Sequence, residues 1–366
     1  MERLPTATLA LLLCLDLGAQ ALPEPQIPSP RAIHTKDTVT LAIIGDVMMH
    51  SRQLEYDCRE FLSGISGLLK EADFAIANAE FSLGGRPYSG YPAFSAPDSY
   101  AEYLRDGCGI DVFLTANNHI LDRGRKGLER TLHVYDSLGV PYCGSSPGDG
   151  TYYRHNPLML FKDGIRIALL NFTYGTNIPA PASAGPLVGM LDKDEVSECI
   201  RRARIQGADF IIALPHWGRE YSLTHDDSQR DWAEWLAAQG VDAIVGSHPH
   251  VVQDSCHIGG VPVIYSTGNA VSNMSARNTR LGLAVTLTLV VDRASGDKAC
   301  TPRLHFTWCT LPGMLGHGYR TIYVREWVGR RGDWLTPSDY DNMLETLERV
   351  CTATSIANPL SDTSSD

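Results

Sequence analysis

Apolar and polar positions alternate along the chain in two distinct patterns. Short apolar runs bounded by Gly, Asp or Asn predict strands, and apolar residues recurring every three or four positions predict helices. The predicted strands lie at residues 38–44, 74–77, 111–115, 165–170, 210–214, 243–245, 262–266, 283–291 and 303–308. The predicted helices lie at residues 61–71, 101–108, 125–138, 192–206 and 228–239.

The order of these elements predicts the fold class. Strands and helices alternate over the first part of the chain, whereas strands follow one another directly after residue 262. This order is typical of an α/β protein with a parallel or mixed sheet and an antiparallel extension. No internal repeat or linker interrupts residues 38–350, so we expect one domain there.

The two ends of the chain differ in composition from this domain. Residues 1–21 contain a short apolar segment followed by Ala19-Gln20-Ala21, which predicts a secretory signal peptide. Residues 22–37 form a Pro-rich lead-in, and the polar residues 351–366 predict a disordered tail.

A signal peptide implies export to the periplasm, the cell surface or the medium. A lipoprotein modified at Cys14 is the alternative, but bulky leucines precede that cysteine. No later segment approaches 18 consecutive apolar residues, so no transmembrane helix is expected after the signal.

The net charge and the cysteine spacing argue against two classes of function, nucleic-acid binding and a thiolate zinc site. The formal net charge of −11 over 366 residues argues against nucleic acid as a partner, because that binding needs a basic face. Eight cysteines follow the signal without a CxxC pair, which argues against a thiolate zinc site. Export permits disulfides among them, and free buried thiols are the alternative.

Polar residues follow most of the predicted strands at the point where each ends. They are Asp46, Asn78, Glu80, Asn118, His119, Asp122, His216, Glu220, His248, His250 and Asn269. In an open α/β sheet the carboxyl ends of neighbouring strands line one crevice, so these residues are expected to converge.

The converging side chains offer oxygen and imidazole ligands and no thiolate. Ligands of these types suit Mn, Fe or Zn. The number of candidate ligands exceeds what one tetrahedral ion needs and fits two divalent ions that share a carboxylate. Two such ions can hold a phosphate and generate a hydroxide nucleophile. An anionic substrate is therefore expected.

Six motifs in this order, GDVMMH, NAE, ANNHILDRG, HWGREY, GSHPHVVQ and STGN, resemble the CapA family. That family is linked to poly-γ-glutamate capsule biosynthesis and is similar to the calcineurin-like metallophosphoesterases. The resemblance covers residues 38–310. It implies two stacked sheets flanked by helices, an α-β-β-α arrangement, with a dinuclear metal site.

The resemblance also implies a role for each residue at the predicted site. Asp46 and His250 would bind the first ion, Glu80 would bridge both ions, and Asn118, His216 and His248 would bind the second. His119 would donate a proton to the leaving oxygen, with Asp122 orienting it. Asn78, Glu220 and Asn269 would contact the substrate or support the ligands.

The sequence departs from the phosphoesterase pattern at two positions. The usual Asp-x-His is Asp46-Val47-Met48 here, so one imidazole of the first ion is missing. His50, four residues after Asp46, is a candidate replacement. The bridging carboxylate is Glu80 rather than an aspartate.

Two functions of different classes agree with these motifs. The first is a metal-dependent hydrolase, either a phosphoesterase or an amide hydrolase acting on a γ-glutamyl polymer. The second is a non-catalytic envelope protein that anchors or exports an anionic polymer together with capsule-assembly proteins. Only a hydrolase requires a general acid, so the His119-x-x-Asp122 pair favours the first.

Overall fold

The computed structural model describes residues 36–360. The predicted signal peptide and nearly all of the predicted lead-in lie outside the described residues. The strands are β1 (Lys36–Val47), β2 (Phe74–Ala79), β3 (Val112–Leu114), β4 (Tyr142–Cys143), β5 (Leu158–Lys162), β6 (Ile165–Thr173), β7 (Phe210–His216), β8 (Ala243–Val245), β9 (Ser255–Ile258), β10 (Val261–Ile264), β11 (Asn269–Val271), β12 (Leu281–Asp292), β13 (Lys298–Thr310) and β14 (Arg320–Tyr323).

The α-helices are α1 (Ser66–Glu71), α2 (Asp98–Asp106), α3 (Gly124–Leu138), α4 (Tyr152–His155), α5 (Lys193–Ile205), α6 (Asp227–Ala238), α7 (Val324–Trp327) and α8 (Pro337–Thr354). Five of them correspond to predicted helices, although α1 begins at Ser66 because the chain before it forms a turn.

The strands form two sheets. The first has eight strands in the order β14-β13-β12-β1-β2-β3-β4, with β11 paired to β1, and the second has six in the order β5-β6-β7-β8-β10-β9. β1, β2, β3 and β4 run parallel, and β12, β13 and β14 extend this sheet with antiparallel pairing. β1 pairs with β12 over nine residue pairs, from Lys36–Asp292 to Ile44–Ala284. The predicted mixed sheet with an antiparallel extension is confirmed.

Alternation along the central strands creates the layers. In β1, Val39, Leu41 and Ile43 enter the core between the sheets, whereas Ala42 and Ile44 pack with residues of α1, α2 and α3. In β7 the even-numbered apolar residues likewise enter the core between the sheets, and the odd-numbered ones pack with α5 and α6. This period of two is the strand repeat, and it confirms the predicted α-β-β-α arrangement.

A single side chain links the carboxyl edges of the two sheets. Asn171 in β6 accepts hydrogen bonds from the backbone N–H groups of Thr115 (3.0 Å) and Ala116 (2.7 Å), which follow β3 of the first sheet. Its amide donates to the carbonyl of Leu214 in β7, at 2.6 Å. The loops at the two edges are thereby held at a fixed separation.

The predicted disordered tail at residues 351–366 is wrong for its first part. Helix α8 continues to Thr354, and Cys351 and Ile356 are buried in the core between the sheets. The apolar residues Met343, Leu347 and Val350 recur every three or four positions and form the buried face of α8. Residues 361–366 lie outside the described residues.

The eight cysteines from Cys58 to Cys351 are all free. Of the two possibilities that the sequence left open for them, disulfides or free thiols, the structure has free thiols.

Between residues 36 and 360 no helix has the length and apolar character needed to cross a membrane.

Helix α8 is joined to the first sheet by a buried ion pair. Both guanidinium ends of Arg280 bind the Asp339 carboxylate, at 2.5 and 2.6 Å, and the two side chains are only 9% and 4% exposed. Arg280 also donates to the carbonyl of Cys309 at 2.9 Å. Each charge therefore depends on the other, because neither can be hydrated in place.

We predict that Asp339→Asn lowers the free energy of unfolding by about 3 kcal/mol, because it leaves the buried Arg280 charge without its partner. Urea denaturation would measure this. Asp333→Asn is the control, since Asp333 pairs with Arg330 at the exposed surface, and it should leave the midpoint nearly unchanged. Equal midpoints for both variants would contradict the prediction.

Candidate metal centre

Strand register brings the first polar residues together. Asp46 in β1 lies opposite Asn78 in β2 and Asn269 in β11. The Asn78 amide donates to Asp46 Oδ1 at 2.7 Å. Glu80 follows β2 directly and is completely buried, as is Asp46. Two carboxylates thus enter the same interior region from neighbouring strands.

The turn after β3 positions Asn118 and His119. Asn117 donates from its side chain to the carbonyl of Ala79 at 2.9 Å, and its oxygen accepts from the N–H of His119 at 3.1 Å. The turn is therefore fixed to the end of β2. Asn118 Oδ1 lies 2.8 Å from His216 Nε2, so this turn also reaches the second sheet.

The second sheet contributes the histidines. His216 ends β7, and its Nδ1 lies 3.1 Å from the hydroxyl of Ser247, which follows β8. The His216 and His248 rings lie 4.7 Å apart, and those of His248 and His250 lie 5.9 Å apart. His248 (φ +99°) and His250 (φ +59°) both adopt left-handed backbone conformations. Such strain in non-glycine residues is concentrated at functional sites.

Three groups of side chains among the described residues place one ligand atom each within 4.8 Å of one another. The groups are Asp46, Glu80 and His250; Glu80, His216 and His248; and Glu220, His248 and His250. Glu80 is common to the first two groups. This is the arrangement needed for a carboxylate that bridges two ions.

Glu80 is a buried carboxyl group, and neither of its oxygens has a hydrogen-bond donor from the described residues. Burial and the neighbouring Asp46 charge raise the pKa of Glu80 well above its ordinary value. Burial also opposes ionisation of Asp46, but hydrogen bonds from His250 and Asn78 hold the pKa of Asp46 below its ordinary value.

Two of the histidines are held in the form that binds metal. Burial, followed by the neighbouring histidines, lowers the pKa of His216 well below its ordinary value. Burial lowers the pKa of His248 to about 3, with His250 contributing. His248 Nδ1 has no hydrogen-bond partner among the described residues. Neutral imidazoles with an available nitrogen are the ligand form for Mn, Fe and Zn.

These residues fit divalent ions on their own chemistry. A buried carboxylate with no donor and a buried imidazole nitrogen with no partner both gain from a cation placed between them. The ligand types are carboxylate, imidazole and amide oxygen, without a thiolate. How the ligands divide between two ions, and which metal binds, stay predictions.

Comparison with known proteins identifies the family. The family model described as bacterial capsule synthesis protein PGA_cap matches residues 40–274, which is more than half of the chain. The chain belongs to the PGA_cap family. The matched region contains every residue of the three ligand groups, and the predicted relationship to CapA is confirmed.

Two relatives have names that agree with this family. The capsule biosynthesis protein CapA of Bacillus anthracis is 25% identical over 289 residues, covering 74% of this chain and 69% of the relative. The PGA biosynthesis protein CapA of Bacillus subtilis (strain 168) is 26% identical over 268 residues, covering 68% and 67%.

Two solved structures resemble the chain at low identity. A phosphatase from Mycoplasma pneumoniae has 13% identity and a TM-score of 0.47, covering 74% of this chain and 93% of that one. A 5′-nucleotidase precursor from Thermus thermophilus has 13% identity and a TM-score of 0.46, covering 86% and 59%. Neither likeness bears on the chemistry of this PGA_cap protein.

His119 and Asp122 form a buried pair beside the ligand groups. Asp122 Oδ2 lies 2.7 Å from His119 Nδ1 and accepts from the backbone N–H of Phe94 at 2.8 Å. His119 Nε2 faces the centre and lies 3.9 Å from Glu80 Oε1. The Phe94 ring packs edge-on against the imidazole, with centroids 4.7 Å apart. The ring is therefore oriented with one nitrogen free to face a substrate.

Of the other predicted site residues, two asparagines contact ligand side chains and one glutamate is exposed. Asn78 binds Asp46, and Asn269 Oδ1 lies 3.0 Å from His250 Nδ1, so both orient ligands. Glu220 is exposed beside His248 and His250. The structure thus brings all eleven predicted residues to one region.

His50 is not grouped with the candidate ligands. Its Nδ1 lies 3.1 Å from Gln53 Oε1 and 3.3 Å from the backbone nitrogen of Asn273. It belongs to none of the three ligand groups found within residues 36–360. Burial lowers the pKa of His50 to about 4.

Some residues at the centre were not predicted from the sequence. Tyr174 packs on His248 with ring centroids 4.6 Å apart, and Asn177 Nδ2 lies 3.2 Å from His119 Nδ1. Both follow β6, which was predicted to end at residue 170 but continues to Thr173. The rule that polar residues follow apolar strands would have found them if it had been applied to this strand.

We predict that Mn²⁺ raises the melting temperature of metal-free protein and that Glu80→Gln removes this rise. A bound ion stabilises the native state by about 2.7 kcal/mol at 100 times its dissociation constant. Glu195→Gln is the control, because Glu195 is a half-buried carboxylate that accepts from Tyr152, away from the ligand groups. A full Mn²⁺ response in Glu80→Gln would contradict the assignment.

Proposed function

We propose that this PGA_cap protein is an exported, metal-dependent hydrolase of phosphate esters that acts in capsule biosynthesis. The observation that carries the proposal is Glu80, whose two buried oxygens lack donors while the carboxylate is shared by two ligand groups. His119 and Asp122 supply the second requirement, a positioned proton donor. The substrate is a phosphorylated molecule or an anionic polymer.

The ligand groups define where the ions would be held. Asp46, Glu80 and His250 would hold one ion, and Glu80, His216 and His248 would hold the other, with Asn118 beside His216. When bound, a pair of divalent ions supplies positive charge for phosphate oxygens and lowers the pKa of a water molecule. That charge matters here because the protein itself has a net charge of −11.

His119 has the geometry of a general acid. Its Nδ1 is engaged by Asp122, so a proton on Nε2 points towards the centre and can pass to the oxygen of a departing group. Asp122 orients the ring and is itself held by the N–H of Phe94. His119 belongs to none of the ligand groups of residues 36–360, so metal binding alone does not account for this pair.

We predict that His119→Ala lowers turnover of phosphate esters by about 10²- to 10⁴-fold while both ions remain bound. The loss should be larger for a phenyl ester than for a nitrophenyl ester, because a poorer leaving group depends more on protonation. Steady-state kinetics with Mn²⁺ and metal analysis of the same samples measure both effects. His133→Ala, at an exposed position of α3, is the control.

The outcomes separate the candidate functions. Equal losses on both esters would remove the general-acid role of His119. Bound metal without turnover of any phosphate ester, but with cleavage of γ-glutamyl amides, would replace the proposed substrate class. A protein that binds no metal would favour a non-catalytic envelope protein.

Export is the remaining part of the proposal and rests on residues 1–21. We predict that a bacterial host producing the full chain secretes a mature form whose first residue is at or near Leu22. N-terminal sequencing of the exported protein measures this. Protein that stays in the cytoplasm of that host with Met1 still present would contradict export. A lipid attached to Cys14 would show instead that the exported protein is anchored to a membrane.

A further inference from the structure

The first ligand group lacks the imidazole that the phosphoesterase pattern has two positions after the aspartate. Met48 stands two positions after Asp46, is 2% exposed, and packs with Met49 and Phe94 in the core beneath the helices. A thioether in an apolar core is a poor ligand for Mn, Zn or Fe beside carboxylates. Asp46, Glu80 and His250 alone leave this ion with few protein ligands.

Glu220 is an additional carboxylate that the structure brings to the centre. A carboxylate oxygen of Glu220 lies within 4.8 Å of ligand nitrogens of both His248 and His250. His250 is also a member of the group with Asp46 and Glu80, and His248 is also a member of the group with Glu80 and His216. Glu220 therefore faces both groups at once. It is also the one exposed member of the three groups.

The backbone around Glu220 is fixed rather than free. Tyr221 adopts φ +65° and donates its N–H to the carbonyl of Pro249, between the two histidines, at 2.8 Å. Gly218 adopts φ +91°, and a Cβ there would lie 2.4 Å from the side chain of Gln229. Gln229 is buried and holds the start of α6 through a capping box with Asp226. The loop from 218 to 221 is thus built against both the histidine segment and α6.

We propose that Glu220 is a metal ligand that replaces the imidazole missing at Met48. This inference rests on the metal centre of the proposed function. The ligand comes from the loop after β7 instead of from β1, and it approaches from the exposed side of the centre. A carboxylate in place of a neutral imidazole lowers the net positive charge of the loaded centre by one unit. An anionic substrate would compete with Glu220 for the ions.

The proposal can be tested without an activity assay. Metal-free protein is titrated with Mn²⁺, and the heat of binding is measured by isothermal titration calorimetry. We predict that Glu220→Gln weakens one of the two binding steps about 10-fold or more, because the neutral amide is a poorer ligand than the carboxylate. The variant should fold normally because the side chain is exposed. With Co²⁺ in place of Mn²⁺, its visible absorption spectrum should also change.

Asp227→Asn is the matched control. It removes the same charge from the first turn of α6, where the Asp227 side chain is 87% exposed and pairs with Arg230. Asp227 belongs to none of the ligand groups within residues 36–360. It should bind both ions with wild-type affinity and give the wild-type Co²⁺ spectrum.

The outcomes distinguish this inference from the proposed function. Wild-type protein that binds two ions, together with a Glu220→Gln variant whose affinities and Co²⁺ spectrum are unchanged, would overturn the role of Glu220 alone. Equal weakening in Glu220→Gln and Asp227→Asn would also overturn it, because the effect would then be one of net charge. Wild-type protein that binds no ion would overturn the metal centre and this inference together.

Discussion

The buried carboxylate of Glu80 is the constraint around which this protein is organised. An ionised group without donors is costly in an interior, and its cost is offset only by a partner of opposite charge. The surrounding fold supplies imidazoles, a second carboxylate and amide groups around it. Glu80 is therefore expected to be ionised when a cation is bound beside it. When no cation is bound, the protonated form of Glu80 is favoured.

The site exists because two separate sheets end at the same place. Asp46 and Glu80 come from the first sheet and His216, His248 and His250 from the second, so the two groups that share Glu80 each need both sheets. Asn171 fixes the two edges relative to each other through three short hydrogen bonds. The accuracy of the centre therefore depends on packing between the sheets, in a core formed by alternate residues of β1 and β7.

Much of this arrangement could be predicted from the sequence. The order and periodicity of the strands predicted the mixed sheet, and the family resemblance predicted the second sheet. The polar residues at the strand ends predicted which side chains lie close together, whereas their roles stay predictions. Helix α8 was missed, and its last turn was assigned to the polar tail at residues 351–366. The contact of this helix with Arg280, 59 residues before Asp339, has no local signal in the sequence. His50 was a reasonable candidate by spacing, but its Nδ1 lies within hydrogen-bond distance of Gln53 and Asn273, which spacing does not reveal.

The pairing of β1 with β12 determines how much of the chain is a folding unit. The family match ends at residue 274, before β12 begins at Leu281. A fragment cut at that limit would keep every ligand residue but would leave β1, the strand that carries Asp46, as an open edge of apolar sequence. Exposed edges of this kind promote association between copies. The region matched by the family model is thus shorter than the region needed to pair β1 on both sides.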